Sequence, residues 1–300
     1  MGIKRDEEES SGQDGPNHST ETQKRLKSDD DDGIPADSLV TQLASCAQIL
    51  GRNGVRFEVT GRIPKSNFRS FIEENTKENV VGFFRVIAKE MEETRGILDF
   101  HLKVREQKKW FCVEVYFGEE RKGPEAAAME STEECISCAP GAALFPGQEP
   151  GVTAGECVLT EFSGQPHVQC SLDAKARSGF IITPVRHVGR MSQLGDDELF
   201  ALWSTAVRAL RQDSLPFTNM TLNHGTYRNT PHLHLKVWVD NKLHTEVRLK
   251  WDAEKLDLWN RLLALVETTP KKPCRFFLEK GYCRYAEECR FSHIKEGSET

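Results

Sequence analysis

His232–Val239 reads HLHLKVWV, and its period is two. Side chains alternate across a strand, so His232, His234 and Lys236 fall on one face, and Leu233, Leu235, Val237 and Val239 on the other. The aliphatic face must be the core side of a sheet. Two imidazoles and an ammonium in a row can receive a phosphate. One imidazole attacks, the cation neutralises charge, and the other is positioned or ligated. The loop before the strand, Asn223 to Thr230, carries Asn223, Arg228, Asn229 and Thr230, which can donate to phosphate oxygens. The competing explanation is that His234 is an ordinary surface histidine.

Outward from this strand, residues 132–267 read as an α+β domain with a mostly antiparallel sheet and flanking helices. Strands are expected at Cys157 to Phe162, Gly179 to Pro184, Asn219 to Leu222, His232 to Val239 and Thr245 to Leu249. A helix starts near Asp196-Asp197-Glu198, whose acids favour a helix N-terminus. Its buried face is Leu199, Phe200, Leu202, Trp203, Val207 and Leu210. Asp252 to Val266 closes the domain as a second helix. A smaller α+β module precedes it at 38–120, across a linker. Here a helix is expected at 38–50 and a strand at Val55 to Gly61. Helices at 67–75 and 79–93 and a hairpin of Ile97 to Val104 with Trp110 to Phe117 follow. This module carries no chemical signature of its own.

The region around the double histidine resembles the histidine-triad (HIT-like) superfamily of nucleotide hydrolases and nucleotidyl transferases. The residues that carry the likeness are Cys135-Ile-Ser-Cys138, GFIITPVRHV ending in His187 and Val188, Asn223 with Gly225, and His232-x-His234. The resemblance implies a nucleotide ligand and a nucleotidyl-histidine intermediate on His234. Lys236 stands where many members have a third histidine. The run His232-Leu-His234-Leu-Lys236-Val-Trp238 is similar in outline to the galactose-1-phosphate uridylyltransferase branch, which has glutamine at that place. The resemblance also implies a zinc ion on Cys135, Cys138, His187 and His232, for which free buried thiols are the plain alternative. Many members of the superfamily are homodimers.

A separate signal lies at the C-terminal side, in 270–295. Cys274, Cys283, Cys289 and His293 stand at Cys-x8-Cys-x5-Cys-x3-His. Three thiolates and an imidazole are a tetrahedral zinc set, and so short a segment has no core without the metal. The segment resembles the CCCH zinc finger of the tristetraprolin type, with Gly281, Tyr285 and Phe291 in place and Ala286 where glycine is frequent. That likeness implies single-stranded RNA as the partner. Phe276, Phe277, Tyr282, Tyr285 and Phe291 offer faces on which bases can stack, among an excess of lysine and arginine. A finger used only for protein contact or as a folding staple is the alternative.

The net charge of −6 excludes a chain-wide nucleic-acid coat, so any such site is local. Acidity concentrates in residues 1–37, which read as a disordered tail. No apolar stretch approaches membrane-spanning length, and no secretory signal is expected. Nine cysteines, three of them in a zinc pattern, point to a reducing intracellular compartment, nuclear or cytoplasmic. The leading expectation is a HIT-like nucleotide hydrolase or nucleotidyl transferase with an RNA-directed finger. The alternative is a non-catalytic RNA-binding adaptor with a degenerate HIT-like domain.

Overall fold

The computed structural model describes residues 48–51, 53–59, 67–107, 110–118, 135–162, 166–269, 274–283 and 292–293. Among them run β1 (Gln48–Ile49), β2 (Gly54–Phe57), α1 (Phe68–Glu73), α2 (Lys77–Ala88), β3 (Phe100–Gln107) and β4 (Trp110–Phe117). Then come β5 (Val168–Leu172), β6 (Gly179–Pro184), α3 (Asp196–Gln212), β7 (Phe217–Asn223) and β8 (Leu235–Val239). Helices α4 (Asn241–Arg248), α5 (Ala253–Thr268) and α6 (Arg275–Lys280) complete the order.

The eight strands form one antiparallel sheet in the order β1-β2-β4-β3-β7-β8-β6-β5. Its centre is the pairing of β3 with β7, where Leu102 faces Leu222 and Lys103 faces Thr221. The segments 38–120 and 132–267 therefore contribute to a single sheet. They also share one core. Phe84 of α2 stacks on Trp203 of α3, with ring centroids 4.1 Å apart and planes 9° from parallel. Phe68 of α1 meets Trp203 and Phe111 edge-on. Such aromatic pairs contribute about 0.5–1.5 kcal/mol beyond the area they bury.

Helix α3 begins as its acids suggest: Glu198 accepts from the Gly195 N–H at 2.7 Å, a capping arrangement that satisfies an orphan donor. Lys77 and Arg85 of α2 reach Asp197 and Asp196 of that first turn. Gly179 opens β6 at φ +153, and a Cβ there would lie 2.0 Å from the Val237 carbonyl oxygen. The β6–β8 contact is thus possible only with glycine.

Four expectations are corrected. Cys157 to Phe162 is not a strand: it makes a single antiparallel bridge, Val158 to Ser171, and ends in the 3-10 turn Thr160–Phe162. The strand beside it is β5, whose alternation in VQCSL is visible in its burial. Thr245 to Leu249 lies in and just after helix α4, because Asp240 caps that helix by accepting from the Lys242 and Leu243 N–H groups. Strand β8 starts at Leu235, so His232 and His234 lie in the extended approach to it. The helix expected at 38–50 falls mostly outside the described residues, and Gln48–Ile49 is the edge strand β1. No helix among the described residues is long and apolar enough to cross a membrane.

Candidate active site and metal centres

The chain between Cys135 and Leu159 folds back over the outer face of β5 and β6. It is tied there by Leu159 N–H to the Cys170 carbonyl and Leu172 N–H to the Cys157 carbonyl, at 2.8 and 2.9 Å. Between this layer and the sheet lies a cavity of about 290 Å³. Leu144, Phe145, Val158 and Ile181 make its apolar walls, and Asn229, Thr230, His234 and Lys236 supply polar groups. At one end Arg177 forms a two-point ion pair with Asp173 at 3.1 and 2.6 Å and lies 4.6 Å over the Trp238 ring.

His234 is buried, and its Nδ1 stands 3.0 Å from the His232 carbonyl oxygen and 3.1 Å from Thr230 Oγ1. A carbonyl only accepts, so Nδ1 carries the proton and Nε2 keeps its lone pair. Burial, with Lys236 nearby, holds His234 down at about 4, so the ring is neutral near pH 7. A neutral imidazole with a bare nitrogen at the wall of a cavity is a nucleophile in its reactive form. Lys236 reaches Asn229 Oδ1 at 3.4 Å.

Not every expected phosphate ligand joins this cavity. Thr230 does, and Lys236 does. Asn223 does not line it: its side-chain oxygen accepts from His101 Nδ1. Arg228 is buried on a different cleft, bordered by Arg186 and Arg190, and bonds the Pro231 carbonyl. In the same loop Gly225, at φ +55, packs against Asp99, where a Cβ would meet Oδ1 at 1.7 Å. The Asp173–Arg177 pair and the 140–158 wall were not anticipated from sequence.

His232 points the other way. Its Nδ1 lies 3.4 Å from Cys135 Sγ and 3.4 Å from Cys138 Sγ, while Cys138 Sγ lies 3.2 Å from His187 Nδ1. One ligand atom from each of Cys135, Cys138, His187 and His232 falls within 4.8 Å of all the others. Tetrahedral zinc with ordinary bond lengths would hold sulfur and nitrogen about 3.5 Å apart. The donor set therefore fits zinc in both chemistry and spacing. Such an ion would fix the approach to β8 and supply no reacting group.

The second group brings Cys274, Cys283 and His293 within the same limit. Cys289, Tyr285, Phe291 and the Phe276 side chain lie outside the described residues. Helix α6 ends at Gly281 with φ +74, and the Cys274 N–H bonds the Ser292 carbonyl at 2.7 Å. Phe277 stacks on His293 with centroids 4.5 Å apart, and Tyr282 is 66% exposed. Residues 274–293 match the family model described as a zinc finger domain. This segment is a CCCH-type zinc finger.

No curated protein matches the chain. Among solved structures it is similar to a uridylyltransferase at 14% identity, covering 73% of this chain and 76% of that one, with a TM-score of 0.46. It is similar to an ADP-glucose phosphorylase from Arabidopsis thaliana with bound ADP-glucose at 11% identity, over 63% and 72% of the two chains, TM-score 0.40. A DUF4931 family protein from Bacillus cereus aligns at 12% identity over 75% of this chain and 100% of that one, TM-score 0.35. These likenesses assign no role to any residue here.

Proposed function

We propose that this protein is a HIT-like nucleotide-phosphate hydrolase or nucleotidyl transferase that works through a covalent nucleotidyl-histidine. The observation that carries the reading is His234, with Nδ1 committed to the His232 carbonyl and its ring at the wall of the cavity beside Lys236. His234 Nε2 attacks the α-phosphorus in line, forming a P–N bond as the bond to the leaving-group oxygen breaks. Lys236 and the Asn229 side chain stabilise the charge that develops on the phosphoryl oxygens, and the Thr230 hydroxyl orients His234. Water or another acceptor oxygen then attacks the phosphorus, the P–N bond breaks, and the imidazole returns to its starting form. The apolar walls at Leu144, Phe145 and Ile181 suit the base or sugar of the nucleotide. The zinc finger binds RNA or another single-stranded nucleic acid, with the exposed Tyr282 as one stacking face.

The test is the adduct. Wild-type protein mixed with an α-labelled nucleotide substrate is expected to retain label after acid-free denaturation, and His234→Ala to retain none. Equal labelling of the two proteins would remove His234 from the chemistry. A non-catalytic adaptor is the second reading, favoured by Lys236 in place of a third histidine. It is supported if neither protein labels while RNA binding persists.

A further inference from the structure

The register of the sheet places a line of side chains across its outer face. Ser171 and Ile181, in the cavity, are followed by Lys236, whose partner across the next pairing is Thr221, and Thr221 in turn pairs with Lys103. Side chains on neighbouring strands in register point the same way, so Lys236 and Lys103 stand on one face about 10 Å apart, two strand spacings. Lys103 is part-exposed and makes no ion pair among the described residues. Beyond it Glu114 pairs in register with both Lys103 and Arg56. Its carboxylate is already held by Arg56 at 2.8 Å, Arg105 at 3.1 Å and the Tyr116 hydroxyl at 2.7 Å. The face leading out of the cavity thus carries Lys236, Lys103, Arg105 and Arg56 against Glu114 and Glu58, which leaves Lys236 and Lys103 as its surplus. Arg177 is set aside because Asp173 balances it.

In a chain of net charge −6 such an excess is local and directional. It begins where a reacting phosphate would sit and runs away from it across the central strands. Lys236 lines the cavity and Lys103 does not. A ligand that extends from the cavity with further negative charges reaches Lys103.

We propose that the outer face of the sheet from Lys236 to Lys103 and Arg105 is a track for the sugar–phosphate backbone of a single-stranded nucleic acid whose end enters the His234 cavity. This deepens the functional reading above and rests on it for the identity of the end that reacts. The lysines act as point charges on phosphate oxygens, so the track is indifferent to sequence.

The full chain, finger intact, is titrated with a fluorescein-labelled single-stranded oligoribonucleotide over a range of salt, as wild type, Lys103→Ala and Lys103→Glu. Lys103 is half-buried, so both variants are checked for an unchanged Tm. The expected result is several-fold weaker binding for Lys103→Ala, more for Lys103→Glu, and a salt slope smaller by about 0.7 for the alanine variant. Turnover of a small fluorogenic adenylate ester stays at the wild-type rate in both. Oligonucleotide binding and salt slope equal to wild type would overturn the track. So would an equal fall in ester turnover, or a polyglutamate peptide that binds as tightly as the oligonucleotide and with the same dependence on Lys103. Loss of the nucleotidyl-histidine reading shows instead as a labelled adduct that survives His234→Ala, and leaves the binding result standing.

Discussion

His232 and His234 are joined through the backbone: the carbonyl oxygen of the one lies 3.0 Å from Nδ1 of the other. The same residue that offers its ring to the Cys135, Cys138 and His187 group therefore offers its carbonyl to orient the proposed nucleophile. Both residues lie in the extended approach to β8 rather than in the strand, and there the two rings part: His232 meets the Cys135 and Cys138 sulfurs, and His234 lines the cavity. A metal on His232 would hold that carbonyl still, which is how an ion remote from the reaction influences it.

Metal content separates the two histidines. Wild-type protein purified without chelator is expected to carry about two zinc ions per chain by elemental analysis, one for each donor group. His232→Ala should carry about one, and His234→Ala should keep both. Equal content in wild type and His232→Ala would show that the Cys135 group holds no resident ion.

Thr230 Oγ1 stands 3.1 Å from His234 Nδ1 and 3.3 Å from the His232 carbonyl oxygen. Thr230→Val keeps the shape and removes the hydroxyl. One hydrogen bond of this kind is worth ~0.5–1.5 kcal/mol, so kcat for the small ester is expected to fall about 2–10-fold. KM should change little, since the hydroxyl orients the nucleophile more than it grips the ligand. An unchanged kcat would remove Thr230 from the positioning of His234.

The stack of Phe84 on Trp203 joins helices from the two halves of the sequence. Truncating one ring in a close-packed core typically costs ~3–5 kcal/mol. Phe84→Ala is therefore expected to lower the midpoint of one cooperative urea transition followed by both fluorescence and far-UV circular dichroism. Two separate transitions, only one of them shifted, would mean that the halves unfold independently.

The sequence made some of this visible and hid the rest for physical reasons. Gly179–Pro184 and helix α3 were legible because a buried apolar run and an acidic first turn are local signals. The convergence of Cys135, Cys138, His187 and His232 was reachable only through family resemblance, since cysteine-to-histidine spacings of 49 to 97 residues carry no local periodicity. The β3–β7 pairing escaped because nothing in either strand names its partner. Arg228 and Asn223 fall elsewhere because donor type was legible but direction was not: Asn223 sits opposite His101 across the β3–β7 pairing, and Arg228 bonds the Pro231 carbonyl. Helix α4 was read as a strand because TEVRL alternates, while the Asp240 cap that starts the helix lies five residues earlier.

His244 offers a test of burial that involves neither metal group. It is fully buried against Trp251 and Trp259, with ring centroids 5.6 and 5.1 Å away. Neither ring nitrogen has a hydrogen-bond partner among the described residues. Burial, with Arg248 and Lys255 near, pulls its pKa down from 6.5 to about 4. The folded pKa lies below the unfolded one, so between pH 6.5 and 4 the unfolded chain binds the proton more readily. Stability is thus fully present above pH 6.5 and declines as pH falls through that window. From pH 7 to pH 5 the loss from this residue is about 2 kcal/mol. His244→Phe keeps an aromatic ring in the site and cannot take up the proton. Urea unfolding at the two pH values should show the variant losing about 2 kcal/mol less than wild type. Equal losses would mean that His244 finds a way to ionise inside the fold, and that its surroundings are wetter than the packing of the two tryptophans indicates.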